Sequence, residues 1–231
     1  MTTADFRNRF RPTLAAALAA VSLALLAPAG CSRKPQAPGK SGPQQEFEIL
    51  FRRMQAAWNQ IFTTDGANEY LMARLEFFAG GKETPCGKVS GGVHYCPQNR
   101  TISVDRGWLE GAQAPEPGVR AYLLARTLAR HVQHQLGIDE RVEKAAADTP
   151  RQKEDLLRKR EFQADCFVGL WRRFHEQPEP SAEALRLAMR AAPAQGREEL
   201  LTSTLEERLR WFDRGLEADE IAACNVFAEA K

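Results

Sequence analysis

Two acidic side chains, Glu161 and Asp165, stand four residues apart in a segment with the periodicity of an amphipathic helix. Residues four apart lie one turn above each other, so both carboxylates fall on or beside an apolar stripe that includes Leu157, Ala164 and Val168. A buried carboxylate needs a cationic partner. The pattern therefore indicates a buried charged site or, alternatively, a face whose edge meets solvent and leaves both acids hydrated.

Histidines offer a second candidate site. His131 and His134 are three residues apart and could face the same way on one helix, and Glu161 could join them as a third zinc ligand. The alternative is that each histidine is an ordinary packed or surface residue. Other catalytic templates are absent from the sequence, which contains no G-x-S-x-G, P-loop or dinucleotide-binding motif.

The five cysteines of the chain indicate disulfide bonds. If Cys31 belongs to a processed N-terminus, an even four remain, and these predict two disulfides. Cys86 and Cys96 flank a glycine-rich loop, so this pair would close a small ring, and Cys166 with Cys224 would join a central helix to the C-terminal tail. Four cysteines allow three connectivities, and the spacing alone does not choose among them. A zinc site made of all four thiolates is disfavoured because the close C-x-x-C spacing is missing.

The elements that must position these residues are mostly helical. Apolar residues at helical spacing predict an amphipathic helix over 46–62. Pro117 would open a second helix that Gly137 ends, and Thr149 with Pro150 would form a capping box for a third helix reaching about Phe174. The remaining predictions are a strand at 101–105 inside the glycine-rich stretch 80–111, and helices near 181–192 and 204–216. The fold class expected is α+β, mainly α.

Several of these residues occur together in a known pattern. The segments concerned are Pro85-Cys86-Gly87, Tyr95-Cys96-Pro97, His131-Val132-Gln133, Glu161 to Cys166 with Gly169 and Trp171, Arg208 to Phe212 with Gly215, and Cys224 before Phe227. Their order and spacing resemble the bacterial neutral zinc metallopeptidase family over residues 85–227. The resemblance implies a zincin-like fold with a small disulfide-closed β region. It also implies that Glu161 corresponds to a zinc ligand and Asp165 to the acid that holds a ligand histidine in place.

The departure from this family lies at the metal-binding motif. Active members carry H-E-x-x-H on the second helix, where two imidazoles one turn apart share the metal and the Glu activates its water. Alignment through His131-Val132-Gln133 places this motif on Arg126, Thr127 and Arg130. The family's later histidine is also missing, and Thr202 stands near its place. A guanidinium has no lone pair for a metal, so the resemblance implies a degenerate member without catalytic residues, metal ligands or cofactor.

The N-terminus has the pattern of an export signal. An arginine-bearing start precedes an apolar run from Leu14 to Leu26, which is short for a permanent membrane helix. Small residues then precede Cys31, as in bacterial lipoproteins whose cysteine is diacylated. Ordinary cleavage after Ala27 or Ala29 is the alternative. We predict a signal peptide at 1–30, a flexible tether at 31–45 and a domain at 46–231, in an outer-membrane lipoprotein that faces the periplasm.

Composition narrows the function further. The chain has 231 residues and a net charge of +2, and acids and bases balance once the first thirty residues are set aside. This balance argues against nucleic-acid binding. We expect a binding or scaffolding protein of the cell envelope whose partner is a protein or peptide, with the membrane reached through the lipid. The alternative is an active zinc metallopeptidase with rearranged ligands. In the degenerate case, Arg126 or Arg130 should pair with Glu161 or Asp165 in place of the metal.

Overall fold

The computed structural model of the protein describes residues 42–66, 69–192 and 204–228. The predicted signal peptide, Cys31 and Thr202 lie outside these ranges. In chain order the elements are α1 (Pro43–Thr64), β1 (Arg74–Phe78), β2 (Gly81–Thr84), β3 (Gly87–Ser90), β4 (Val93–Cys96), β5 (Thr101–Asp105), α2 (Arg106–Glu110), α3 (Pro117–Gln135), α4 (Ile138–Asp148), α5 (Lys153–Phe174), α6 (Ala182–Ala191) and α7 (Leu205–Glu217), with 3₁₀ turns at Pro150–Gln152 and Ile221–Cys224.

Helices dominate these elements, and the predicted α+β, mainly α class is confirmed. Pro43 stands in the first turn of α1, where a missing backbone N–H costs nothing, so this helix begins three residues before the predicted domain start at 46. Pro117 likewise opens α3, and Gly137 follows its end in the left-handed region at φ 66°. These local signals set the bounds of α3 as predicted.

The capping box predicted at Thr149 is wrong. The Thr149 hydroxyl donates 2.7 Å to the Ala145 carbonyl and so closes the end of α4, a helix that the sequence analysis did not predict. The 3₁₀ turn then separates this residue from the first residue of α5, Lys153. Helix α4 is rich in charge, and only Ile138, Val142 and Ala146 mark its buried face.

Helix α5 lies at the centre of the described residues and packs against α1, α3, α4 and α7. Every residue from Glu161 to Trp171 is buried. The Trp58 ring of α1 meets the Phe167 ring edge-on at a centroid distance of 5.5 Å. Gly169 of α5 and Gly215 of α7 face each other's backbones so closely that a Cβ on either would overlap a carbonyl oxygen of the other helix. Glycine at both positions therefore allows the two helices to cross in direct backbone contact.

A three-stranded sheet packs beside the helices in the order β1-β5-β4. Strands β1 and β5 are parallel, with Arg74 opposite Thr101, and β4 is antiparallel to β5, with Val93 opposite Val104. Strand β4 forms one edge of this sheet and packs against α3. Strands β2 and β3 pair with each other as a separate antiparallel hairpin.

Both predicted disulfides are confirmed. Cys86 bonds to Cys96 with a Cα–Cα distance of 5.5 Å, and Cys166 bonds to Cys224 with a Cα–Cα distance of 5.7 Å. The first joins the turn of the hairpin to the end of β4, and the second joins α5 to the C-terminal 3₁₀ turn. In the part of the chain that the structure describes, no helix combines the length and apolar character needed to cross a membrane.

Candidate functional site

Helices α3 and α5 bring the residues of the degenerate motif to the two acids. Arg126 and Arg130 stand one turn apart on α3, and Glu161 and Asp165 stand one turn apart on the facing side of α5. Glu161 is 2% exposed and Asp165 is fully buried. The alternative in which both acids are hydrated at an edge is therefore wrong, because α3 and α7 cover this face of α5.

The guanidinium of Arg126 bridges the two carboxylates. Its Nη2 donates 2.7 Å to Glu161 Oε2, and its Nη1 donates to Asp165 Oδ1. Arg126 is itself 2% exposed, so these ion pairs are closed to water. Burial lowers the pKa of this arginine, but Asp165, Tyr122 and Glu161 outweigh burial and hold its pKa well above the ordinary value. The predicted arginine–carboxylate pairing is confirmed.

Tyr122 and Arg208 complete the buried cluster around Asp165. The Tyr122 hydroxyl donates 2.6 Å to Asp165 Oδ1 and accepts from Arg126 Nη1 at 3.1 Å. Arg208 of α7 donates from Nε to Asp165 Oδ2 at 3.0 Å and from Nη2 to the Tyr122 hydroxyl. Burial raises the pKa of Tyr122 to about 12, so the hydroxyl keeps its proton. Among the described residues, Asp165 thus accepts hydrogen bonds from two guanidinium groups and one hydroxyl group.

Sequence reasoning did not single out Tyr122 or Arg208 as site residues. The signal for Tyr122 was its position four residues before Arg126, which places both on one face of α3. Arg208 belongs to a segment that carries the family resemblance, but only the crossing of α5 and α7 shows that its side chain reaches Asp165.

Arg130 marks the outer side of the same cluster. Its Nη1 lies 3.2 Å from Glu161 Oε1 and donates 3.0 Å to Gln133 Oε1, while its Nη2 lies 3.4 Å from Asp139 Oδ1. Arg160 approaches the same two acids at longer distances, with Nη1 3.5 Å from Asp139 Oδ1 and Nε 3.7 Å from Glu161 Oε1. Both arginines are partly exposed, so the cluster runs from a dry interior to a wetted surface.

That surface is the floor of a cleft of about 750 Å³. One wall is formed by the β2–β3 hairpin and the consecutive residues 91–97, which include all of β4. The other is formed by Thr127, Arg130 and His134 of α3, the N-terminal half of α4 and Arg160 of α5. Thr127, at the position of the family's catalytic Glu, is buried and donates 2.7 Å to the Leu123 carbonyl. Its hydroxyl therefore bonds to its own helix.

The two histidines do not join Glu161. The His131 ring is buried, with Nε2 2.7 Å from the Leu71 carbonyl and Nδ1 2.9 Å from the Tyr95 hydroxyl. His134 is exposed at the cleft and meets the edge of the Tyr95 ring. Burial lowers the pKa of His131 to about 4. This histidine therefore acts as a neutral link between α3, the loop before β1 and strand β4.

The donor set at the motif positions does not suit zinc. Arg126 and Arg130 offer only N–H donors, and Arg126 occupies Glu161 Oε2 and Asp165 Oδ1 with its own hydrogen bonds. Within residues 42–66, 69–192 and 204–228, no three side chains of His, Cys, Asp or Glu come together in a group that could hold a metal ion.

Comparison with known proteins identifies the relatives of this chain. Residues 31–227 match the family described as "Putative neutral zinc metallopeptidase". The chain is 26% identical over 214 residues to the uncharacterized protein YpfJ of Escherichia coli strain K12, covering 84% of this chain and 74% of that protein. It is 24% identical over 192 residues to the uncharacterized protein Rv2575 of Mycobacterium tuberculosis strain H37Rv, covering 70% and 64%. No solved structure matches the chain.

Proposed function

This chain belongs to the neutral zinc metallopeptidase family, and we propose that it is a member that has lost its zinc site and acts by binding a peptide or protein in its cleft. The observation that carries this proposal is the Arg126 bridge between Glu161 and Asp165. A fixed guanidinium charge takes the place at which the resemblance puts a divalent cation, so Glu161 is already engaged and no base stands at Thr127.

The form of the cleft supports a peptide ligand. Strand β4 is an edge strand, and the Asp105 N–H bonds to the Gly92 carbonyl at 3.0 Å. Since hydrogen-bonded pairs alternate along an antiparallel ladder, the backbone groups of Val93 and Tyr95 point away from β5. An extended peptide could add to this edge as a further strand, with main-chain hydrogen bonds for affinity and the cleft residues for selectivity.

We place the protein in the bacterial envelope, anchored by lipid at Cys31. The apolar run from Leu14 to Leu26 and the small residues before Cys31 support export. The two disulfides support it independently, because such bonds persist in oxidising compartments and are rare in the cytosol. The proposed partner is accordingly a protein or peptide of the envelope.

Metal analysis of the purified protein tests the loss of the zinc site. We expect less than one tenth of an equivalent of zinc after dialysis and no hydrolysis of casein. The triple variant Arg126→His, Thr127→Glu, Arg130→His should gain zinc, since it restores the ligands opposite Glu161. Tightly held stoichiometric zinc in the wild-type protein would instead favour a working metallopeptidase with rearranged ligands.

Peptide binding tests the positive part of the proposal. A fluorescent pool of random heptapeptides should bind the wild-type protein and should bind His134→Trp much more weakly, because the indole would fill the cleft from an exposed position. Met72→Trp is the matched control, since Met72 is 62% exposed and lies outside the cleft lining. Equal binding by both variants would contradict the proposed site.

A further inference from the structure

Counted over the described residues, the ionic cluster behind the cleft holds more arginines than carboxylates. Among the described residues that form it, four arginines face three carboxylates, linked through one series of ion pairs: Arg126, Arg130, Arg160 and Arg208 against Asp139, Glu161 and Asp165. Within this described set, one positive charge is in excess. This positive charge can attract an anionic ligand only if it lies where a ligand can reach it.

The excess lies on the side of the cleft. Deep in the protein, Arg126 and Arg208 make hydrogen bonds to the acids at ordinary or short distances. At the floor, Arg130 and Arg160 approach Glu161 and Asp139 only at 3.2 to 3.7 Å. Three buried atoms of the cluster find no hydrogen-bond partner in the described residues: Arg160 Nε and Asp139 Oδ1 at the floor, and Arg126 Nε in the interior. Unused donors therefore occur at both depths, and the floor differs because its two arginines also line the cleft.

The pKa values of the two α3 arginines, Arg126 and Arg130, shift in opposite directions. The pKa of Arg126 is raised because its acids outweigh burial. The pKa of Arg130 is lowered, first by burial and then by repulsion from Arg160 and Arg126, which Glu161 and Asp139 do not offset. A further negative charge beside Arg130 would relieve this imbalance.

We propose that the floor of the cleft, at Arg130 and Arg160, binds a carboxylate of the peptide ligand, an inference that rests on the proposed peptide-binding function. Both side chains line the cleft and retain some exposure, at 18% and 12%, so a ligand can reach them. A guanidinium presents parallel N–H groups that match the two oxygens of a carboxylate. Glu140 and Glu143 also line the cleft, but they are exposed at its rim, where water screens their charge.

Three matched pools of fluorescent heptapeptides test this inference and separate the two sources of a carboxylate. The first pool carries a central Asp and an amidated C-terminus, the second a central Asn and an amidated C-terminus, and the third a central Asn and a free C-terminal acid. We expect the first or the third pool to bind roughly tenfold tighter than the second, as a charged hydrogen bond in a sheltered site would give.

The variant Arg160→Gln should remove that preference, and Arg160→Lys should keep part of it because the charge remains without the planar fork. Arg158→Gln is the control on the same helix, since Arg158 pairs with Asp155 and does not line the cleft. Equal binding of all three pools, or a preference that survives Arg160→Gln in a folded protein, would overturn the carboxylate site and leave the peptide cleft intact. No binding by any pool would overturn the proposed function and this inference with it.

Discussion

At the scale of single residues, the site shows how one side chain can occupy a place that the resemblance assigns to a metal. Arginine has the length to span from α3 to two acids on α5, and its charge is permanent at physiological pH. One guanidinium carries a single positive charge, whereas the two carboxylates carry two negative charges. Arg208 supplies further positive charge at Asp165, and Arg130 supplies it at Glu161. The cluster is held together by several hydrogen bonds among the described residues.

Arg126→Met should destabilise the fold by about 3–5 kcal/mol, because two buried carboxylates would lose their shared partner. Urea unfolding monitored by tryptophan fluorescence measures the change. Adding Glu161→Gln should recover part of the loss, since one uncompensated charge would be gone. Arg158→Met, at a partly exposed arginine of α5 that pairs with Asp155, should cost at most about 1 kcal/mol. An equal loss for the two arginines would contradict a stabilising role for the buried cluster.

His131 should make stability depend on pH between about 4 and 6.5. Burial lowers the folded-state pKa to about 4, whereas the unfolded chain binds a proton near 6.5. The unfolded state therefore binds more protons in this window, so the contribution is full above pH 6.5 and falls as the pH approaches 4, by roughly 3 kcal/mol. Unfolding free energies at pH 7, 5.5 and 4 should show a shallower slope for His131→Phe than for wild type. Parallel slopes would show that this histidine is not the cause.

At the scale of elements, the crossing of α5 and α7 places Arg208 beside Asp165. Gly169 and Gly215 remove the side chains that would separate the two helices, and the Cys166–Cys224 disulfide joins α5 to the segment that follows α7. The ion pair between Arg208 and Asp165 thus depends on two glycines that allow α5 and α7 to come close together.

Gly215→Ala should destabilise the protein by about 1–3 kcal/mol, because the new Cβ would overlap the Cys166 carbonyl oxygen and force the helices apart. Gly118→Ala in α3 is the matched control. Its Cβ would meet the Ala184 carbonyl oxygen at an ordinary 3.5 Å, and alanine favours a helix over glycine, so no loss is expected. Thermal unfolding of both variants decides the point, and similar melting temperatures would speak against close packing as the reason for Gly215.

At the scale of the whole molecule, the proposal combines a membrane anchor, a tether and a binding domain. A chain anchored at Cys31 would hold the cleft near the membrane surface, because few residues separate that cysteine from α1 at Pro43. Binding partners would then be those within reach of the inner face of the outer membrane.

We expect the mature protein to begin at Cys31 and to carry diacylglycerol. Each acyl methylene buried in a bilayer contributes about 0.8 kcal/mol, so two chains should retain the protein in the membrane fraction. Intact mass spectrometry of the mature N-terminus measures this directly, and Cys31→Ser should release the protein into the soluble fraction. A soluble wild-type product that begins after Ala27 or Ala29 would contradict lipidation.

Local signals in the sequence predicted several helix ends and the face of α5 that carries the two acids. Pro117 and Gly137 mark the start and the end of α3, because their backbone preferences act within a few residues. The four-residue spacing of Glu161 and Asp165 placed both acids on one face of α5. The count of four cysteines predicted two disulfides, whereas the choice of Cys86–Cys96 and Cys166–Cys224 among the three possible connectivities is decided by the fold. In contrast, the capping box predicted at Thr149 was wrong, because the Thr149 hydroxyl lies between two helices and bonds to the C-terminal end of the earlier one, α4.

The partners of the buried acids were decided only by the tertiary structure. Periodicity predicts the face on which a side chain lies, but which side chain meets it depends on how distant helices pack. Arg208 lies 86 residues from Tyr122, and both converge on Asp165 because α3, α5 and α7 pack together at this point. The sequence alone could propose that an arginine replaces the metal. The contrast between the closed interior at Arg126 and the accessible cleft floor at Arg130 and Arg160 arises from the depth of each residue in the folded chain.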